Sequence, residues 1–130
     1  MRNRIGLAFL LIWFSAMAFA ADYTYERNVS YRGNAEDEYA SKMCRLDIAY
    51  QPGVKDVPVV VWFHGGGLTG GSREVPTQLL TDNMVVVGVE YRLSPHVKTM
   101  DIVDDAAAAI AWVFDNIGKY GGNTSSIYIA

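Results

Sequence analysis

The sequence is poor in the residues that build disulfide frameworks, basic nucleic-acid faces or membrane spans. One cysteine, Cys44, stands among 130 residues. No internal disulfide can form, and Cys44 reads as a small buried hydrophobe on a strand. Eleven basic residues face 14 acidic ones, with none of the basic stripes that nucleic-acid binding requires. There are two histidines, His64 and His96, and therefore few candidates for a catalytic base. Internal repeats and low-complexity segments are lacking. The uncharged apolar run near the start, residues 5–19, is shorter than the ~20 residues that span a bilayer.

That run instead has the form of an export signal. Arg2 and Arg4 precede it, and Ala18-Phe19-Ala20 follows as an A-x-A cleavage site. The expectation is a signal peptide over residues 1–20, cleavage near Ala20, and a secreted or periplasmic protein with no stable membrane insertion afterwards. Removing Arg2 and Arg4 moves the formal charge from −3 to −5. No cysteine lies near the cut to carry a lipid anchor.

In the remaining residues 21–130, two alternating stretches come first. Tyr23, Tyr25, Val29 and Tyr31 share one parity, and Cys44, Leu46, Ile48 and Tyr50 share another, which predicts two half-buried antiparallel strands. Residues 33–42 between them are polar and read as loop. After Pro58 the runs at 59–63 and 84–89 become continuously apolar, and a third begins at Ile127, as in strands of a parallel sheet. Ile102, Ala106, Ala109, Ile110, Val113 and Ile117 form a stripe that predicts a helix over 99–119, stopped at Gly121. A short helix is expected between the first two apolar strands. The alternation predicts an α/β fold, doubly wound and mostly parallel, with antiparallel leading strands.

The apolar run at 59–63 breaks at His64 into Gly65-Gly66-Gly67, a backbone suited to an anion. Three readings fit. Gly65, Gly67 and Gly70 spell G-x-G-x-x-G with Glu90 twenty positions on, as in dinucleotide folds, but Pro76 and two further glycines oppose the helix that motif needs. A phosphate P-loop would place Ser72 where lysine is required. The turn is otherwise either a plain glycine-rich connection or an oxyanion hole, in which main-chain N–H groups stabilise the alkoxide of acyl transfer.

The four residues from His64 to Gly67 resemble the H-G-G-G loop of α/β hydrolases in the carboxylesterase and lipase branch. Glu90-Tyr91-Arg92-Leu93-Ser94-Pro95 resembles the Y-R-L-[SA]-P signature of hormone-sensitive-lipase-like and feruloyl-esterase-like members. The segment from Asp105 to Trp112 is similar to their D-x-x-A-A-x-x-W helix. Tyr120-Gly121-Gly122-Asn123 and the strand after it resemble the approach to the nucleophile, with Asn123 and Ser126 replacing the usual Asp and Arg. The resemblance implies a serine-type carboxylic-ester hydrolase acting on small-molecule or carbohydrate-linked esters, without metal or organic cofactor. It implies Gly66 and Gly67 as oxyanion donors, with His64 and Gly65 shaping the loop.

The G-x-S-x-G nucleophile motif of that family is not among the 130 residues, and its acid and histidine follow the serine in chain order. Ser72, Ser94, Ser125 and Ser126 read as turn or capping residues, and His96 as a surface residue. Asp105 reads equally as a family position or as an early-turn helix acid. The expectation is a partial hydrolase domain, truncated before its serine, inactive alone and prone to aggregate. The alternative is an exported binding module on a hydrolase scaffold.

Overall fold

The computed structural model describes residues 22–33, 37–80 and 83–130. The signal-peptide reading lies outside them. Five strands form one mixed sheet in the order β1-β2-β4-β3-β5, where β1 is Thr24–Ser30, β2 Arg45–Tyr50, β3 Val57–Phe63, β4 Val85–Val89 and β5 Gly122–Ile129. β1 and β2 pair antiparallel, and β2 lies antiparallel to β4. β3 runs parallel to both β4 and β5. The predicted α/β architecture is present, antiparallel at the start and parallel at the centre.

Valine dominates the central parallel strands β3 and β4, whose two faces are both largely covered. Val59, Val61, Val85, Val87 and Val89 share one core with Ala109 and Val113 of α2 (Thr99–Asn116) and with Ile117 just after it, joined there by Leu46, Ile48 and the free thiol of Cys44. On the opposite parity, Val60 and Val86 are also buried. Gly88 belongs to that second face, and a Cβ there would collide with the Glu74 carbonyl. The segment leaving the glycine turn therefore lies flat on β4.

Four expectations need correction. Residues 33–42 are not all loop: α1 (Glu38–Met43) forms there because Asp37 caps it, its carboxylate accepting the Ala40 N–H at 2.7 Å. The short helix between β3 and β4 is only a 3₁₀ turn, Thr77–Leu79, after the glycines and Pro76. The long helix tightens into a 3₁₀ turn at Ile117–Tyr120, and β5 begins at Gly122, five residues before the apolar run. β2 is buried on both faces rather than one, with Asp47 and Ala49 enclosed, because it lies between β1 and β4.

The two sheet edges differ. β1 carries a register shift between Glu26 and Val29 and a positive φ at Asn28, irregularities that discourage further pairing. β5 exposes Tyr128 and Ile129, each 60% accessible.

Candidate active site

Parallel register builds the site. Phe63 of β3 lies opposite Val89 of β4, so one more step along each strand sets His64 beside Glu90. Both are buried. They emerge at the carboxyl ends of adjacent parallel strands, where sheets of this class present their ligand sites.

His64 is held on four sides. Nε2 lies 2.7 Å from Glu90 Oε1, and Nδ1 lies 2.8 Å from the Gly65 carbonyl oxygen. The Tyr91 ring stacks on the imidazole, with centroids 4.4 Å apart and planes 7° from parallel. The Tyr91 hydroxyl donates to the His64 carbonyl, and burial together with the Glu90 charge pushes that phenol's pKa up, so it remains a donor.

After His64 the backbone enters conformations that glycine permits. Gly66 has φ 126° and Gly67 φ 64°. A Cβ on Gly66 would collide with the Gly70 carbonyl, and one on Gly71 with the His64 ring and the Gly65 carbonyl. The turn is thus folded back on itself too closely for side chains. Its carbonyls are occupied: Gly66 accepts from the Thr69 N–H at 3.2 Å, and Leu68 from the Ser94 N–H at 2.9 Å. Among the described residues, the N–H groups of Gly66 and Gly67 meet no acceptor. Both glycines are exposed, and His64 and Leu68 on either side of them line a cavity of about 320 Å³ together with Phe63, Tyr91, Ile102 and Val103. A second cavity of similar volume lies apart from the loop, between Tyr50, Lys55 and Tyr120.

The far end of the turn is tied down as well. The Arg73 N–H donates to Glu90 Oε2 at 2.8 Å, and its guanidinium reaches Asp47 of β2 at 3.0 Å. With Glu90 engaged at both oxygens and no helix starting in residues 67–76, the geometry of a dinucleotide site is not formed.

Behind this cluster lies a second one. Asp105 of α2 is fully buried and receives Arg92 Nε and Nη2, both at 2.8 Å, the Arg92 N–H at 3.1 Å, and Arg32 Nε at 2.9 Å. Burial alone would raise the Asp105 pKa, but hydrogen bonds and charge from Arg92, with Arg32 adding, hold it below the usual carboxylate value. Arg92 is shifted upward, chiefly by those hydrogen bonds. Asp105 is a buried anchor that joins α2, the end of β4 and the segment after β1, rather than a solvent-facing early-turn helix acid.

The remaining candidates stay apart from the loop. His96 is exposed and packs near Tyr39. Cys44 is buried, and burial pushes its thiol up, away from a nucleophilic thiolate. Glu90, Tyr91 and Arg73 are the residues whose part in the loop sequence reasoning missed. Strand adjacency was the available signal for the first two, and none pointed to Arg73.

Residues 46–130 match the profile of the BD-FAE family. The chain belongs to that family. It is an α/β hydrolase of the carboxylesterase and lipase type. Carboxylesterase NlhH of Mycobacterium tuberculosis strain H37Rv is 33% identical over 111 residues, covering 81% of this BD-FAE chain and 33% of NlhH. Liver carboxylesterase B-1 of Rattus norvegicus is 40% identical over 85 residues, covering 56% and 15% of the respective chains. Among solved structures, esterase B of Lactobacillus rhamnosis superposes with a TM-score of 0.72 at 22% identity, over 85% of this chain and 35% of that one. The hyperthermophilic esterase of Pyrobaculum calidifontis gives 0.54 at 35% identity, over 65% and 30%. The BD-FAE chain therefore spans a third or less of the curated relatives named here.

Proposed function

We propose that the chain supplies the oxyanion-binding loop of a secreted serine carboxylesterase, with Gly66 and Gly67 as the main-chain donors and His64 and Gly65 shaping the turn. The observation that carries this reading is the pair of exposed N–H groups without acceptors, on a tightly folded turn beside an apolar cavity. When a serine attacks an ester carbonyl, the oxygen becomes an alkoxide, and each preorganised donor lowers the barrier by ~2.7–4 kcal/mol. The acyl-enzyme that forms is then released by water. The 130 residues contain no G-x-S-x-G, and the reading takes its serine from outside them, with these residues inactive by themselves.

A cavity of about 320 Å³ falls at the small end of ligand pockets. Short acyl groups, free or carried on a carbohydrate, suit it. A side chain at Gly66 is sterically barred, so the test is an atom replacement. In a protein that includes the serine segment, semisynthesis exchanges the Gly67 peptide N–H for an ester oxygen. Turnover of p-nitrophenyl butyrate is expected to fall about 10²–10³-fold in kcat with KM little changed. An unchanged kcat overturns the assignment.

A further inference from the structure

We infer that Glu90 is the positioning residue of the glycine loop, closing both of its ends with one carboxylate. The inference rests on the esterase reading for its catalytic meaning, but its geometry stands independently. Oε1 meets His64 Nε2 at 2.7 Å where the loop begins, and Oε2 meets the Arg73 N–H at 2.8 Å where it ends. Ten residues are thereby cinched between two oxygens of a single side chain.

Arg73 offers a main-chain N–H to one oxygen. The Gly65 carbonyl beside Nδ1 only accepts, so Nδ1 donates to it and Nε2 is the ring nitrogen left to the other oxygen of Glu90. A side chain with two polar atoms on one fork is therefore required at position 90. Leucine is of similar size and offers neither oxygen. Aspartate is one methylene shorter and cannot span the same gap.

The neighbouring groups are already committed elsewhere. Tyr91 stacks on the ring and donates to the His64 carbonyl. The Arg73 guanidinium is paired with Asp47, and the Tyr31 hydroxyl donates to the Glu90 main-chain carbonyl at 2.8 Å. No second carboxylate faces His64 among the described residues, which leaves Glu90 to set the spacing between the loop's ends. That spacing fixes the directions of the Gly66 and Gly67 N–H groups, which have no tether of their own. A misplacement of about 1 Å at such donors costs on the order of 10²-fold in rate.

The experiment is hydrogen exchange and ¹H–¹⁵N correlation on the 130-residue chain, with and without Glu90→Leu. In the unmodified chain the Arg73 amide, which donates to Oε2, is expected to be protected. In Glu90→Leu it loses protection, while the Arg92 Nε proton at Asp105 keeps it as an internal sign of folding. Retention of Arg73 protection in Glu90→Leu overturns the inference. Should that variant not fold, rapid exchange of the Arg73 amide in the unmodified chain overturns it equally. In the ester-hydrolysing protein, Glu90→Leu is expected to lower kcat about 10²-fold with KM preserved. Because exchange is read without substrate, protection with no ester turnover refutes only the esterase reading, whereas turnover without protection refutes only the clamp.

Discussion

Glu90 and Asp105 are both enclosed carboxylates near the carboxyl end of β4, and they do different things because their partners differ. Asp105 is gripped by two guanidiniums and a main-chain N–H drawn from separate elements, so it joins parts of the fold. Glu90 meets an imidazole and an amide at the two ends of one loop, so it sets a distance within a single element. Fixed opposite charges suit a strut. A span between two separate partners suits a gauge. The comparison teaches that burial of an acid does not by itself tell scaffold from site; the identity and origin of its donors do.

Removing the strut is expected to have the largest effect on stability. Asp105→Ala leaves Arg92 and the partly exposed Arg32 without their common partner, and breaking a buried pair costs about 3–5 kcal/mol. Chemical denaturation should show the loss as a lower midpoint. The same residue dictates a pH dependence. Its folded pKa lies below the unfolded value, so its contribution is complete above the ordinary carboxylate range, about pH 4, and disappears as pH falls through the depressed folded value. The acid limb of stability should flatten in Asp105→Asn, and an unaltered limb would move the strut elsewhere.

A smaller change sharpens the contrast from the other side. Tyr91→Phe keeps the stack on His64 and removes only the hydroxyl donor to its carbonyl. The expected loss of stability is about 1 kcal/mol. In the ester-hydrolysing protein kcat should fall less than in Glu90→Leu, because both ends of the loop remain closed. A Tyr91→Phe effect on kcat larger than that of Glu90→Leu would reverse the ranking of the two.

The parts of this molecule that were legible in the sequence are those written contiguously. Residues 59–67 carry a buried strand, its histidine and its glycines in one line, and period alone placed the stripe of α2. What escaped depended on neighbours distant along the chain. The pairing of His64 with Glu90 needs two strands adjacent, parallel and in register, 26 residues apart. Asp105 and Arg32 lie 73 residues apart, and no local pattern in either segment announces the other. α1 escaped for a different reason: six residues are too few for a periodic signal, and Asp37 was the one sign of its start. The short helix foreseen after the glycine turn failed because Gly70, Gly71 and Pro76 leave too little uninterrupted helix-forming chain.

Gly88 sits in the middle of a valine-rich strand, yet the surface it touches is the backbone of Glu74, one residue beyond the clamped Arg73. A methyl group there would act as a shim under the exit of the loop, tilting it away from the sheet. In a mutational scan scored separately for folding and for turnover, position 88 is therefore expected to sort with the glycine turn rather than with the valines on either side of it. For selection, a core position and a position that supports the glycine loop are here one and the same.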